Sequence, residues 1–385
     1  MISLRGARVV TAAADTGDAD VPRWVTIDDG RISAIGTEPP SAALRYDLGP
    51  LQLWPAFTDL HADTLPRFES PRSGITIPLP EALQDFATDS VAHGVVRPYL
   101  CVSVGEGPEP IDGYCRAQAV LETLDRIGDA LAVPVRVHLR VDVGDPQSVD
   151  RTAQLLSWHG AVIGLLSVMD HTPGQGQFRT EGAWRRAMGA RLRLDDEELD
   201  RWRQSLHEHA SGVVARRRQV ARLAAAHHTV LAVHDPDSPS AVGEAAAMGA
   251  RLCEFPLTLK TAAAARDWGI AVVMGAPNAW RGASHLGNLS ARAAIAAGVV
   301  DVLTSDYHTG SLARAAVAIA AAEVGPIAAA VHMLSTNPCR AIGSPLTGAL
   351  MPGQSADLVA VRTEPIVNVV ATWSSGKQVS GPSLG

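Results

Sequence analysis

Cysteine is scarce and scattered in this chain: four residues in 385, at Cys101, Cys115, Cys253 and Cys339. No two form a C-x-x-C pair, which argues against a cysteine zinc site, and a disulfide framework is not expected in a chain this long. Reduced thiols and a cytoplasmic setting are expected. No run of 18 or more apolar residues occurs, so no membrane span is expected. The alanine-rich stretch 313–330 is broken by Arg314, Glu323 and Pro326 and reads as a packed helix. The first residues turn polar with no basic stretch before an apolar one, so no signal peptide is expected. Net charge is −7, with no basic stripe, which argues against nucleic acid as a partner. It leaves an anionic small molecule open, because local charge decides such binding.

What is present is an ordinary globular balance, 46% hydrophobic and 19% charged, long enough for one large domain and a small one. Short strands read at Val9–Thr11, Trp24–Ile27 and Arg31–Ala34, with Asp28-Asp29-Gly30 as a hairpin turn. From Leu51 onward strands and helices alternate. The strands are Leu51–Leu60, Val95–Val104, Val133–Val143, Ala161–Met169, Thr229–Val233, Arg251–Phe255, Ile270–Met274 and Val299–Thr304. A long polar helical region, 180–227, separates the fourth from the fifth. Eight strands over this length predict an α/β fold, a (β/α)8 TIM barrel. An open doubly wound sheet would show a Gly-rich phosphate turn after its first strand, and none follows Leu60. Strand character returns after Pro352-Gly353. Both chain ends are therefore expected to form one small β-sandwich domain, from 1–52 and 345–385, beside a barrel spanning 53–344.

Chemistry in such a barrel sits where the strands end at their carboxyl side. Those ends read His61-Ala62-Asp63, Asp142, Asp170-His171, His234-Asp235, Glu254, Asn278 and Ser305-Asp306. His and carboxylate groups suit zinc, manganese or iron. His61 and Asp63 are two apart on a strand and share a face. Alone, H-x-D is a weak motif; with His234 and Asp306 ending later strands it reads as a metal site. His234 is otherwise a core or capping histidine. Asp235 points away and is expected to cap the next helix. Asp306 is expected both to ligate metal and to take the proton of an attacking water; its plain alternative is an N-cap. Asp142 reads equally as a bridge between two metals or a turn aspartate. His171 reads as a ligand or phosphate contact, or as a loop histidine. Glu254 reads as a ligand, an orienter of ligands or a buried paired carboxylate.

Two loops read as anion sites. One is Pro173-Gly-Gln-Gly-Gln-Phe-Arg179, which supplies Gln175 and Arg179. The other is Arg281-Gly-Ala-Ser-His285-Leu-Gly-Asn288, which leads to a helix N-terminus. Arg281, His285 and Asn288, with Arg72, complete the expected substrate contacts; Arg67 and Lys260 could add positive charge. Each loop could equally be plain surface.

The segments Pro55-Ala-Phe-Thr-Asp-Leu-His61-Ala-Asp63, His138-Leu-Arg, Met169-Asp-His-Thr-Pro-Gly-Gln175, Met274-Gly-Ala-Pro-Asn278 and Ser305-Asp-Tyr307 carry a resemblance that runs across the chain. It resembles the amidohydrolase superfamily and, within it, the ribose 1-methylphosphonate 5-triphosphate diphosphatase family of the carbon–phosphorus lyase pathway. The resemblance implies a divalent metal, zinc first, as one or two ions. It implies water attack on a phosphoanhydride that releases diphosphate from a phosphorylated small molecule. His61, Asp63, His234 and Asp306 are then ligands, with Asp142 as a bridging one. Cleavage of a C–N bond, as in deacetylases or cyclic amide hydrolases, is the competing expectation. A homodimer is the default assembly. Thr64, Asp142, Pro236 and His308 depart from the resembled pattern, all at the mouth of the site.

Overall fold

The computed structural model describes residues 1–11, 22–41, 43–108, 113–284, 287–344 and 348–383. Its centre is a sheet of eight parallel strands in sequential order. They are Phe57–Ala62, Val95–Val104, Arg136–Asp142, Ile163–Met169, Val230–His234, Leu252–Glu254, Ala271–Gly275 and Val302–Thr304. A parallel bridge between Ala62 and Asp306 joins the first strand to the chain just after the last, so the sheet closes into a barrel. Leu60, Leu165, Ala232, Leu252, Val273 and Val302 cluster as one core layer. Fully burying a side chain of the Val or Leu class is worth about 1.5–3 kcal/mol, so this layer adds to the stability that the larger helix–strand core supplies.

The helices between strands present apolar faces at helical spacing. In Leu79–Ala92 the buried set includes Ala82, Leu83, Phe86, Ala87 and Val91. Ser238, Thr258 and Ser290 cap their helices by accepting from the backbone N–H of Ala241, Thr261 and Ala293. This corrects the expected role of Asp235: Ser238, three residues later, caps the following helix. The polar region 180–227 resolves into three helices, Glu181–Leu192, Asp196–Glu208 and Val213–Ala226. The first two form a hairpin with a core of its own, Phe178, Trp184, Met188, Leu199, Trp202 and Leu206.

The expected single strand 51–60 is two. Gln52–Pro55 pairs antiparallel with Leu358–Arg362, and Phe57–Ala62 opens the barrel. The switch occurs at Ala56, whose N–H donates to Asp357 O, while the N–H of Phe57 donates to Gly94 O. Both chain ends thus build two sheets, one of four strands and one of five. They share an apolar core of Leu4, Val25, Ile27, Ile32, Leu53, Leu358, Ala360 and Trp373. Strands Asn368–Ser374 and Lys377–Ser380, which the sequence reading did not identify, complete the larger sheet. All four cysteines are free thiols. Among the described residues no helix is long and apolar enough to cross a membrane.

Candidate metal centre

The barrel seam positions the first group of site residues. Asp59, His61 and Asp63 alternate along one strand and its end. Asp59 is fully buried, and its Oδ1 accepts from Ser305 N at 3.0 Å, from His61 N at 3.3 Å and from the Thr304 hydroxyl. The Thr304 hydroxyl also lies 2.9 Å from His61 O. Asp306 carries a left-handed φ of 54°, as do Asp235 at 50° and Phe255 at 51°, each just past a barrel strand. Such conformations cost energy in non-glycine residues and hold only where surroundings over-determine them.

Glu254 lies at the heart of the site and is completely buried. Its Oε1 is 2.9 Å from His61 Nδ1 and its Oε2 is 3.2 Å from His234 Nδ1. The two imidazoles lie nearly parallel, 11° between planes, with centroids 5.5 Å apart. Burial by itself would raise the Glu254 carboxyl, but the His138 and His61 imidazoles hold it well below the usual range. Burial would likewise lower His61, yet Cys101 and Glu254 beside it raise it well above an ordinary histidine. His138 donates from Nδ1 to Leu60 O at 2.9 Å, and burial pushes it down to about 4.

Arg140 spans the other side. Its guanidinium approaches Asp63 Oδ2 at 3.2 Å and His234 Nε2 at 3.1 Å, with 4% of the residue exposed. Arg140 shares a strand face with His138 and Asp142, since all three alternate along Arg136–Asp142. That spacing is visible in the sequence, where His138-Leu-Arg and Asp142 stand on one segment.

Asp142 and His171 belong to a neighbouring buried group. His171 Nδ1 lies 3.0 Å from Glu106 Oε1 and 3.0 Å from Asp142 Oδ2. Asp142 Oδ1 also accepts from Gly144 N at 3.0 Å. Arg191, from the helical hairpin, pairs with both Glu106 oxygens at 2.7 and 2.9 Å. Burial opposes charge on His171, but the two carboxylates raise it to about 9. Glu106 and Arg191 carried no sequence signal, because they meet only through the hairpin.

One cavity gathers His61, Asp63, Arg140, Arg191, His234 and Asp306. Asn278, Asn288, Tyr307 and Phe255 also line it. Burial raises Asp306 to about 6. A Cβ built on Gly275 would lie 3.0 Å from Asp306 Oδ2, so the glycine makes room for that carboxylate. Asn278 ties the following loop in place, donating to Leu289 O and accepting from Ala291 N. Of the expected substrate contacts, Asn288 lines this cavity. Gln175 lines an adjoining one that shares Gln177, His234 and Asp235 with it. Arg281 is exposed and reaches Tyr307 Oη at 3.4 Å. Arg72 and Arg179 are exposed outside both, and His285 lies outside the described residues.

The chemistry of the donor set suits a divalent cation. His61, His234 and Glu254 offer donor atoms close enough to hold one ion, as do His61, Cys101 and His138, and the carboxylates Asp63 and Asp306 line the cavity beside them. The Arg140 guanidinium lies between Asp63 and His234 Nε2 and would have to give way to an ion bound at those atoms.

Comparison with known proteins agrees with this architecture. Residues 197–379 match the amidohydrolase family. The chain is 30% identical over 338 residues to the α-D-ribose 1-methylphosphonate 5-triphosphate diphosphatase of Escherichia coli (strain K12). That match covers 85% of this chain and 88% of the relative. Among solved structures, N-acetyl-D-glucosamine-6-phosphate deacetylase from Mycobacterium smegmatis superposes with a TM-score of 0.64 at 17% identity, over 99% of this chain and 100% of that one. Dihydropyrimidinase from Brevibacillus agri NCHU1002 gives 0.62 at 13%, over 99% and 95%. These similarities in structure bear on the fold.

Proposed function

The chain belongs to the amidohydrolase family, a hydrolase family, and from that premise we propose that it releases diphosphate from a ribose 5-triphosphate of the phosphonate-linked kind. The observation that carries this reading is a cavity that places Arg140 and Arg191 beside the His and carboxylate group; Arg140 pairs there with Asp63 and Arg191 with Glu106, so a triphosphate would share or replace those carboxylates. A neutral amide has no use for such cations, whereas a triphosphate does. The 30% identity to a diphosphatase supports the same choice.

In this reading His61, Asp63, His234 and Asp306 hold a divalent metal, with zinc, manganese and iron all compatible with the set. When bound, the metal supplies a Lewis acid for the phosphoryl oxygen and lowers the pKa of water. Asp306 accepts the proton of the attacking water at its carboxylate. Arg140 and Arg191 receive the phosphate charge, and Asn288 and Tyr307 contact the substrate from the loop side. Asp142, whose Oδ2 faces His171, would be the bridging ligand where two ions bind.

The test is to incubate the metal-loaded protein with α-D-ribose 1-methylphosphonate 5-triphosphate and with nucleoside triphosphates, measuring diphosphate. Release from the ribose triphosphate is expected. No diphosphate from any triphosphate, together with turnover of an N-acyl sugar phosphate, would overturn the proposal.

A further inference from the structure

Glu254 has one feature that an ordinary buried ion pair lacks: each carboxylate oxygen faces the same nitrogen of a different imidazole. A carboxylate only accepts hydrogen bonds when ionised. Both Nδ1 atoms must therefore carry the proton. The other side of His234 is consistent with this. Arginine only donates, so the Arg140 guanidinium 3.1 Å from His234 Nε2 favours an unprotonated Nε2, although Asp235 Oδ2 stands 3.5 Å away; a metal at that nitrogen would displace the guanidinium. His138, the third imidazole nearby, spends its Nδ1 on Leu60 O and stands 3.8 Å from Glu254 Oε1, leaving both oxygens to His61 and His234.

We infer that Glu254 is a positioning residue that locks His61 and His234 in the Nδ1–H tautomer, so that both present Nε2 to a metal. It does not ligate. The inference rests on the metal-centre reading above and adds the assignment of which nitrogen binds. The rival arrangement is that His61, His234 and Glu254 ligate together, since their donor atoms lie close enough to hold one ion. That arrangement would require both Nδ1 atoms to lose their protons.

The chemistry also dictates why a carboxylate stands here. Glutamine has the same shape but can accept from only one ring and must present N–H to the other. E254Q therefore forces one imidazole into the wrong tautomer. Outer partners of ligating histidines typically matter by 10–100-fold in metal affinity.

The experiment uses the whole protein, labelled with 15N-histidine and titrated with zinc, and follows the imidazole N–H protons by NMR. Assignment comes from His61→Asn and His234→Asn. Zinc bound with both Nδ1 protons retained is the expected result. Zinc bound with either Nδ1 proton lost would overturn the inference while leaving the metal centre standing. Failure of zinc, manganese and iron to bind at all would overturn the metal centre itself. In E254Q, zinc affinity is expected to fall 10–100-fold, and unchanged affinity would also refute the inference. The measurement on the unmodified protein decides the matter even if E254Q does not fold.

Discussion

The backbone N–H of Asp306 donates to the carbonyl of His61 at 2.9 Å, and the carbonyl of Asp306 receives the N–H of Asp63 at 2.8 Å. The join that closes the barrel therefore runs through three of the four residues proposed to hold the metal. Their relative placement is fixed by main-chain hydrogen bonds, not by side-chain packing alone. A site built this way tolerates changes of side-chain chemistry without losing its frame.

Asp306→Asn follows directly from that frame. Asparagine adopts left-handed backbone more readily than most residues, so a φ of 54° is accommodated. The carboxylate is lost while the seam remains. Turnover should fall by about 10²–10⁴-fold, the usual worth of a positioned general base, with the thermal midpoint close to wild type. Largely unchanged activity would remove Asp306 from the proton-transfer role.

Asp59→Ala tests the seam itself. It leaves Ser305 N and His61 N without their carboxylate partner in a fully buried position, while the Thr304 hydroxyl keeps His61 O. Unsatisfied buried groups cost about 1–3 kcal/mol each, so a loss of about 3 kcal/mol is expected. The urea midpoint should drop with an unchanged slope. A midpoint equal to wild type would show that the seam does not depend on this carboxylate.

Gly275→Ala separates catalysis from stability. The glycine has φ −73° and ψ 128°, an ordinary extended conformation that alanine adopts freely. Its new methyl, however, would meet Asp306 Oδ2 at 3.0 Å. kcat is expected to fall while the melting temperature moves little. Wild-type kcat would mean that Asp306 moves aside without consequence.

Arg281→Ala probes the loop side of the cavity. Arg281 is exposed and contacts Tyr307, which lines the site. KM for a triphosphate should rise several-fold with little change in stability, because exposed charges contribute little to folding. An unchanged KM would take this loop out of substrate binding.

The sequence by itself determined the alternation of strands and helices, and with it the barrel and the positions of His61, Asp63, His234 and Asp306 at strand ends. Those features are local: hydrophobic periodicity and two-residue spacing are written along the chain. It also held, unread, the alternation of His138, Arg140 and Asp142 on one strand face. Only the tertiary structure decided that the strand beginning at Leu51 changes sheets at Ala56, because the choice depends on Asp357 and Gly94 arriving beside it. It alone set His171 between Asp142 and Glu106, and brought Arg191 in on the hairpin. It also placed Glu254 between two imidazoles, one of them 193 residues away in the chain. Contacts across a closed barrel depend on its curvature and on which strands meet at the seam, and no spacing within a single segment encodes them.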